Sequence, residues 1–138
     1  MTLSTFKDLI VWQRARTVVV QIYRLASSGR ISRDHGFRSQ IQRAAVSIMA
    51  NIAEGSERDS LREFAYLLRV AKASAGELRS HVILAGDLGF FPQEDIHRLE
   101  DDLVQIGSML TALIKRQIER SGSVRKRETP GHRPGVSQ

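Results

Sequence analysis

Asn51 and Glu54 stand three residues apart in the stretch SIMANIAEGSERDS, so any helix that holds them presents both on one face. An amide beside a carboxylate could do acid–base work if a nucleophile or a group of matched pKa stood within reach. The sequence does not complete such a set. Ser47 shares the side of the pair, yet no histidine lies near it, and the chain has no cysteine. His35, His81, His97 and His132 are scattered, and none falls in the H-E-x-x-H spacing that would hold a metal. AEGSERDS lacks the Lys-Ser/Thr ending and the preceding strand of a phosphate loop. We therefore expect no enzymatic activity, no catalytic residue, no metal and no cofactor.

On a helical wheel Gln40, Arg43, Ser47, Asn51 and Glu54 lie beside an apolar stripe and not opposite it. One reading makes these residues the border between core and water. The other makes Arg43, Ser47, Asn51 and Glu54 a subunit contact or a buried hydrogen-bond network, because half-buried amides and carboxylates need partners, and partners fix register.

A second constellation is basic. Arg58, Arg62, Arg69, Lys72 and Arg79 cluster on one side of the third helix expected below, about 100° from its apolar seam by the 3.6-residue period. Either this is a solvated face with salt bridges to an acidic neighbour, or it is a track for phosphates, which Lys and Arg neutralise with release of counterions. Arg125, Lys126, Arg127 and Arg133 add positive charge near the end of the chain. No ladder of aromatic residues accompanies the charge, and Trp12 and Tyr23 read as core.

The elements that must position these groups follow from composition and period. The chain has 138 residues, 41% hydrophobic, 6% aromatic and only three prolines, which fits one helical domain. Without cysteine, disulfides are excluded and a reducing interior is the simpler setting. No apolar run approaches a membrane span, and the N-terminus MTLSTFKDL lacks the pattern of a signal peptide, so a cytoplasmic protein is expected. The net charge of +6 is uneven: residues 1–86 and 115–138 are basic, and residues 87–114 hold Arg98 against six carboxylates. Such asymmetry suits anionic partners or complementary packing of copies.

Four amphipathic helices are legible. The first starts after Thr5, with Asp8 completing a capping box, carries Leu9, Trp12, Val19, Tyr23 and Ala26, and stops at Gly29. The second runs from Asp34 to Glu54 with Phe37, Ile41, Ala44, Ala45, Ile48 and Ile52 as its stripe, ended by Gly55. The third begins at the Ser60/Glu63 box and continues through Leu61, Phe64, Leu68, Ala71, Ala75, Leu78, Val82 and Ala85 to Gly89. The fourth runs from Pro92 to Arg120 on Ile96, Leu99, Leu103, Ile106, Leu110 and Leu113. Short links make an all-α, antiparallel up-down-up-down four-helix bundle the expected fold over residues 1–120. Residues 121–138, SGSVRKRETPGHRPGVSQ, read as a disordered basic tail.

The segments FKDLIVWQRA, SQIQRAAVSIMANIAEGSER and EFAYLLRVAKASAGELRSHVILAGDLGF, in that order, resemble the bacterial four-helix-bundle family encoded within intervening sequences of 23S ribosomal RNA genes. That family is similar in fold to the accessory proteins of diversity-generating retroelements. The resemblance covers Phe6 to Leu113. It implies a four-helix protomer, assembly into a homopentameric ring or barrel and a role in binding nucleic acid; it does not imply membership of the ribosome. Family members usually carry proline where this chain has Met49, as in SIPSNIAEG. Because proline kinks a helix, Met49 implies a straighter second helix unless packing keeps the bend.

Together these readings make the expected function that of a non-enzymatic homo-oligomer, a pentamer by resemblance, binding RNA or DNA through Arg58, Arg62, Arg69, Lys72, Arg79, Arg125, Lys126 and Arg127. The alternative is an interaction scaffold for a protein partner, for example a reverse-transcriptase-like one. No membrane partner is expected.

Overall fold

The structure is a computed structural model and describes residues 5–128. Four helices carry the fold: α1 (Ile10–Ala26), α2 (His35–Ser56), α3 (Leu61–Asp87) and α4 (Gln93–Glu128). Short 3-10 turns at Phe6–Asp8 and Arg30–Arg33 flank α1. Consecutive helices pack on one another, and α1 meets α4 to close an antiparallel four-helix bundle. The most extensive contacts are those of α3 with α4 and with α2.

The core follows the periods in the sequence. Ile41, Ala44, Ala45, Ile48 and Ile52 of α2 are buried, as are Leu68, Ala71, Ala75, Leu78, Val82 and Ala85 of α3 and Ile96, Leu99, Leu103, Ile106 and Leu110 of α4. Phe37, Phe64 and Leu113 lie partly buried at its margin. Alanines where α2 and α3 meet let their backbones approach closely, and burial of the branched residues supplies the stabilisation, at about 25 cal/mol per Å² of apolar surface.

Several helix ends differ from expectation. The Thr5/Asp8 capping box forms, but it closes the 3-10 turn; Leu9 is extended and α1 begins at Ile10. The turn brings the Phe6 ring edge-on to Trp12, with centroids 5.1 Å apart. In α1 the buried stripe is Val11, Trp12, Ala15, Val18, Ile22 and Ala26. Tyr23, expected in the core, is 45% exposed. The segment TVVVQIY offers two adjacent apolar ridges, and the one through Ile22 wins.

Gly55 does not end α2. It is a buried residue inside the helix, where a Cβ would come 2.8 Å from Phe64 Cδ1 and 3.1 Å from Leu67 Cβ. Its role is close approach of α2 to α3, not a left-handed stop. Asp34 caps α2, its carboxylate accepting from the Phe37 N–H at 3.1 Å, and the helix runs without interruption through Met49 to Ser56. Ser60 caps α3 by accepting from the Glu63 N–H at 3.2 Å. Gly89, with φ of 70°, provides the left-handed turn into α4 expected of it.

The largest correction concerns the tail. Ser121 to Glu128 continue α4 as helix, past the expected end at Arg120. Arg125, Lys126 and Arg127 occupy the last turn, where positive charge complements the negative end of the helix dipole. Residues 129–138, including Arg133, lie outside the described residues.

Candidate functional site

The polar stripe of α2 divides. Ser47 Oγ and Ser74 Oγ of α3 are 2.7 Å apart. The Asn51 amide donates to the Ser47 carbonyl at 2.8 Å and to Ser47 Oγ at 3.0 Å. These three side chains make a part-buried network between α2 and α3 within the chain, a partner for each polar group that burial would otherwise penalise. Arg43 and Glu54 stand outside it. Glu54 is exposed and accepts from Arg58 at 2.6 Å, one turn along. Arg43 donates to Ser39 Oγ at 3.4 Å and borders a shallow surface depression with Tyr23, Gln42 and Val46. Asn51 and Glu54, the pair that opened the question of catalysis, thus engage different partners.

The basic stripe also divides. Arg79 donates to Glu100 of α4 at 3.3 Å, a bridge to the acidic helix. Arg58 is held by Glu54. Lys72 is exposed and has no ion pair among the described residues. Arg62 and Arg69 behave differently. Together with Arg125 of α4 they line an open groove of about 420 Å³, whose other walls are Ala65, Ile118, Ser121 and Gly122. Among the described residues, neither Arg62 nor Arg69 has a carboxylate within salt-bridge reach. Lys126 and Arg127 lie exposed beside this groove in sequence, on the same last turn.

Antiparallel packing produces the convergence. The start of α3 and the end of α4 lie at one end of the bundle, which collects the arginines of both. The carboxylates at the start of α4 sit at the other end, where a second groove forms between α1 and α4. That groove is larger, about 570 Å³, and holds Arg16, Arg24 and Arg98. Its charge is partly spent: Arg98 donates to Asp95 at 2.8 Å, and the Arg16 guanidinium lies over the Trp12 ring at 5.6 Å. In the α3–α4 groove Arg62 and Arg69 have no such partner among the described residues. A guanidinium presents paired donors to a phosphate or carboxylate.

Sequence reading missed the groove because three of its residues, Ser121, Gly122 and Arg125, fall in the segment read as disordered. A signal was present. Leu110, Ile114, Gln117 and Ser121 step by four, three and four, and Gln117 is only 2% exposed, so the helical period outlasts its apolar residues.

Two of the histidines make local contacts. His81 Nε2 is 3.4 Å from Glu77 and its ring meets Phe37 edge-on, while His35 Nδ1 is 3.2 Å from an Arg38 nitrogen. No helix of the described residues is long and apolar enough to cross a membrane.

Comparison with known proteins gives three findings. A protein of unknown function from the S23 ribosomal protein family of Bacteroides thetaiotaomicron, solved by crystallography, superposes with a TM-score of 0.70 at 24% identity, over 77% of this chain and 99% of that one. At that identity the likeness shows a shared fold. A search of curated proteins returns no match. The family model described as 23S rRNA-intervening sequence protein matches residues 7–112, which takes in all of α1, α2 and α3 and much of α4, and by that match this chain belongs to the 23S rRNA-intervening sequence protein family.

Proposed function

We propose that this chain is a non-enzymatic, cytoplasmic homo-oligomer, a pentamer as its family resemblance implies, that binds RNA or DNA electrostatically at the α3–α4 groove. One observation carries the reading: Arg62 and Arg69 from one helix and Arg125 from another border the same open groove, while Arg58 and Arg79 are engaged by carboxylates of the chain itself. Arg62 and Arg69 have no carboxylate partner among the described residues, and guanidiniums held close together without one are stabilised when an anion joins them. A phosphate backbone supplies anions at regular spacing, and displacing its counterions gives affinity with little reading of base sequence.

Assembly would multiply a modest site. A ring repeats the groove once per protomer, and avidity along one strand then exceeds the affinity of a single groove. Support for contact between copies comes from α1 and α2, where Val20, Tyr23 and Val46 are exposed and line one shallow apolar hollow. The non-enzymatic part of the proposal rests on the separate engagement of Asn51 and Glu54.

The test is a titration of labelled RNA and DNA at several salt concentrations. Binding that weakens steeply with salt supports the proposal. Absence of binding at low salt, or tight binding indifferent to salt, overturns it. A second reading, a scaffold for a protein partner, is favoured by the same apolar hollow, since exposed tyrosine beside arginine is the composition of interface hot spots. Capture of one protein partner that survives nuclease treatment would support that reading.

A further inference from the structure

Tyr66 lies on the surface of α3, 63% exposed. It follows Arg62 by four residues and precedes Arg69 by three, which places it on the outer face of α3, about 40° around the helix from one and about 60° from the other. Among the described residues its ring makes no aromatic contact and its hydroxyl no hydrogen bond. The other tyrosine lies elsewhere: Tyr23 lines the hollow between α1 and α2 with Val19, Val20 and Val46.

We propose that Tyr66 is a base-stacking residue, and that the ligand of the α3–α4 groove is single-stranded nucleic acid and not duplex. This inference rests on the nucleic-acid reading above and narrows its ligand. In a duplex the base faces are stacked on each other and cannot meet a side chain, whereas an unpaired strand can offer a phosphate to the arginines and turn a base onto an adjacent ring. A basic groove with an exposed aromatic ring on the neighbouring helix face, beyond the residues that line it, is the combination such strands use. Ile118, 45% exposed, adds apolar surface on the α4 wall for a sugar or a second base. Ala65 and Gly122 keep the groove open; a Cβ built on Gly122 meets nothing within 4 Å. Stacking tolerates any base, so the site selects for strandedness more than for sequence.

The experiment measures anisotropy of labelled oligo(U), oligo(dT), a duplex of equal length and an abasic strand, with the full chain and with Tyr66→Ala and Tyr66→Phe. The single strands should bind more tightly than the duplex. Tyr66→Ala should weaken oligo(U) and oligo(dT) by about tenfold, with the same salt slope as the parent. Tyr66→Phe should retain the affinity, and the abasic strand should not distinguish Tyr66→Ala from the parent. Preference for oligo(U) or for oligo(dT) each supports the inference and tells which sugar the groove favours. Salt-dependent binding that Tyr66→Ala leaves unchanged, or equal affinity for duplex, overturns the stacking role and leaves the electrostatic reading standing. Absence of binding by every strand at low salt overturns both. A change of assembly mass in Tyr66→Ala makes the ring a contact between protein surfaces and also overturns it.

Discussion

Ser47 Oγ on α2 and Ser74 Oγ on α3 are 2.7 Å apart, and they join the two helices at a point where the neighbouring contacts are apolar. Ser74 is buried, so its hydroxyl depends on this partner. Ser74→Ala should cost about 1 kcal/mol, because Ser47 keeps the bond from Asn51. Ser47→Ala should cost more, about 2 kcal/mol, since it leaves the buried Ser74 hydroxyl without its bond and removes one acceptor from Asn51. Urea denaturation of both variants measures the difference. Equal costs would mean that the Ser74 hydroxyl finds another partner.

Two glycines make opposite predictions. Gly55→Ala gains helix propensity but drives a Cβ to 2.8 Å from Phe64 Cδ1; overpacking of that kind outweighs propensity, and a net loss of about 1–2 kcal/mol is expected. Gly122→Ala lies inside α4, meets no neighbour within 4 Å and should stabilise by about 0.5–1 kcal/mol. Thermal or urea unfolding tests each variant. A neutral Gly122→Ala would indicate that this stretch is not helical in solution.

Arg30 closes the other end of the bundle. Its guanidinium donates to the Leu88 carbonyl at 2.8 Å and to the Gly89 carbonyl at 3.3 Å, and lies over the Phe90 ring at 5.4 Å. These carbonyls belong to the α3–α4 turn, where helix ends leave acceptors unsatisfied. Arg30→Ala should cost about 1–2 kcal/mol, and Arg30→Lys should recover only part of it, for lack of the planar donor pair. Denaturation midpoints of the two variants decide.

The helices and their order were legible because apolar steps of three and four leave few alternatives for α2, α3 and α4. Where two apolar ridges lay side by side, in α1, period alone could not choose, and Tyr23 was assigned to the core in place of Ile22. Gly55 misled for a related reason. Glycine stops helices by its backbone freedom, but it also admits a neighbouring helix, and only the packing of Phe64 distinguishes the two uses. The groove was half legible. Arg62 and Arg69 stood out as a stripe, but their partner Arg125 and the open floor at Gly122 came from a stretch whose composition suggests disorder. Ser121 and Gly122 are poor helix formers; basic charge in the last turn and the buried Gln117 favour the helix that places them opposite α3.

The stripe named from the sequence should separate in function as it does in structure. Arg79 is engaged by Glu100 and lies about 25 Å along α3 from Arg62, at 1.5 Å per residue, well beyond the range of screened charge. Arg79→Gln should leave nucleic-acid affinity within about twofold, as filter binding at fixed salt would show. A loss comparable to that of Arg62→Gln would extend the site along the whole helix.

The most direct test of the account is the slope of log affinity against log salt for the parent chain and for the Arg62→Gln/Arg69→Gln double variant on a short RNA or DNA strand. Each phosphate contact contributes about 0.7 to the slope on single strands and about 0.9 on duplex. The double variant should therefore bind more weakly at low salt and show a slope shallower by about 1.4–1.8. A parent chain that does not bind, or a double variant whose affinity and slope match the parent, would contradict the claim that the α3–α4 groove holds nucleic acid.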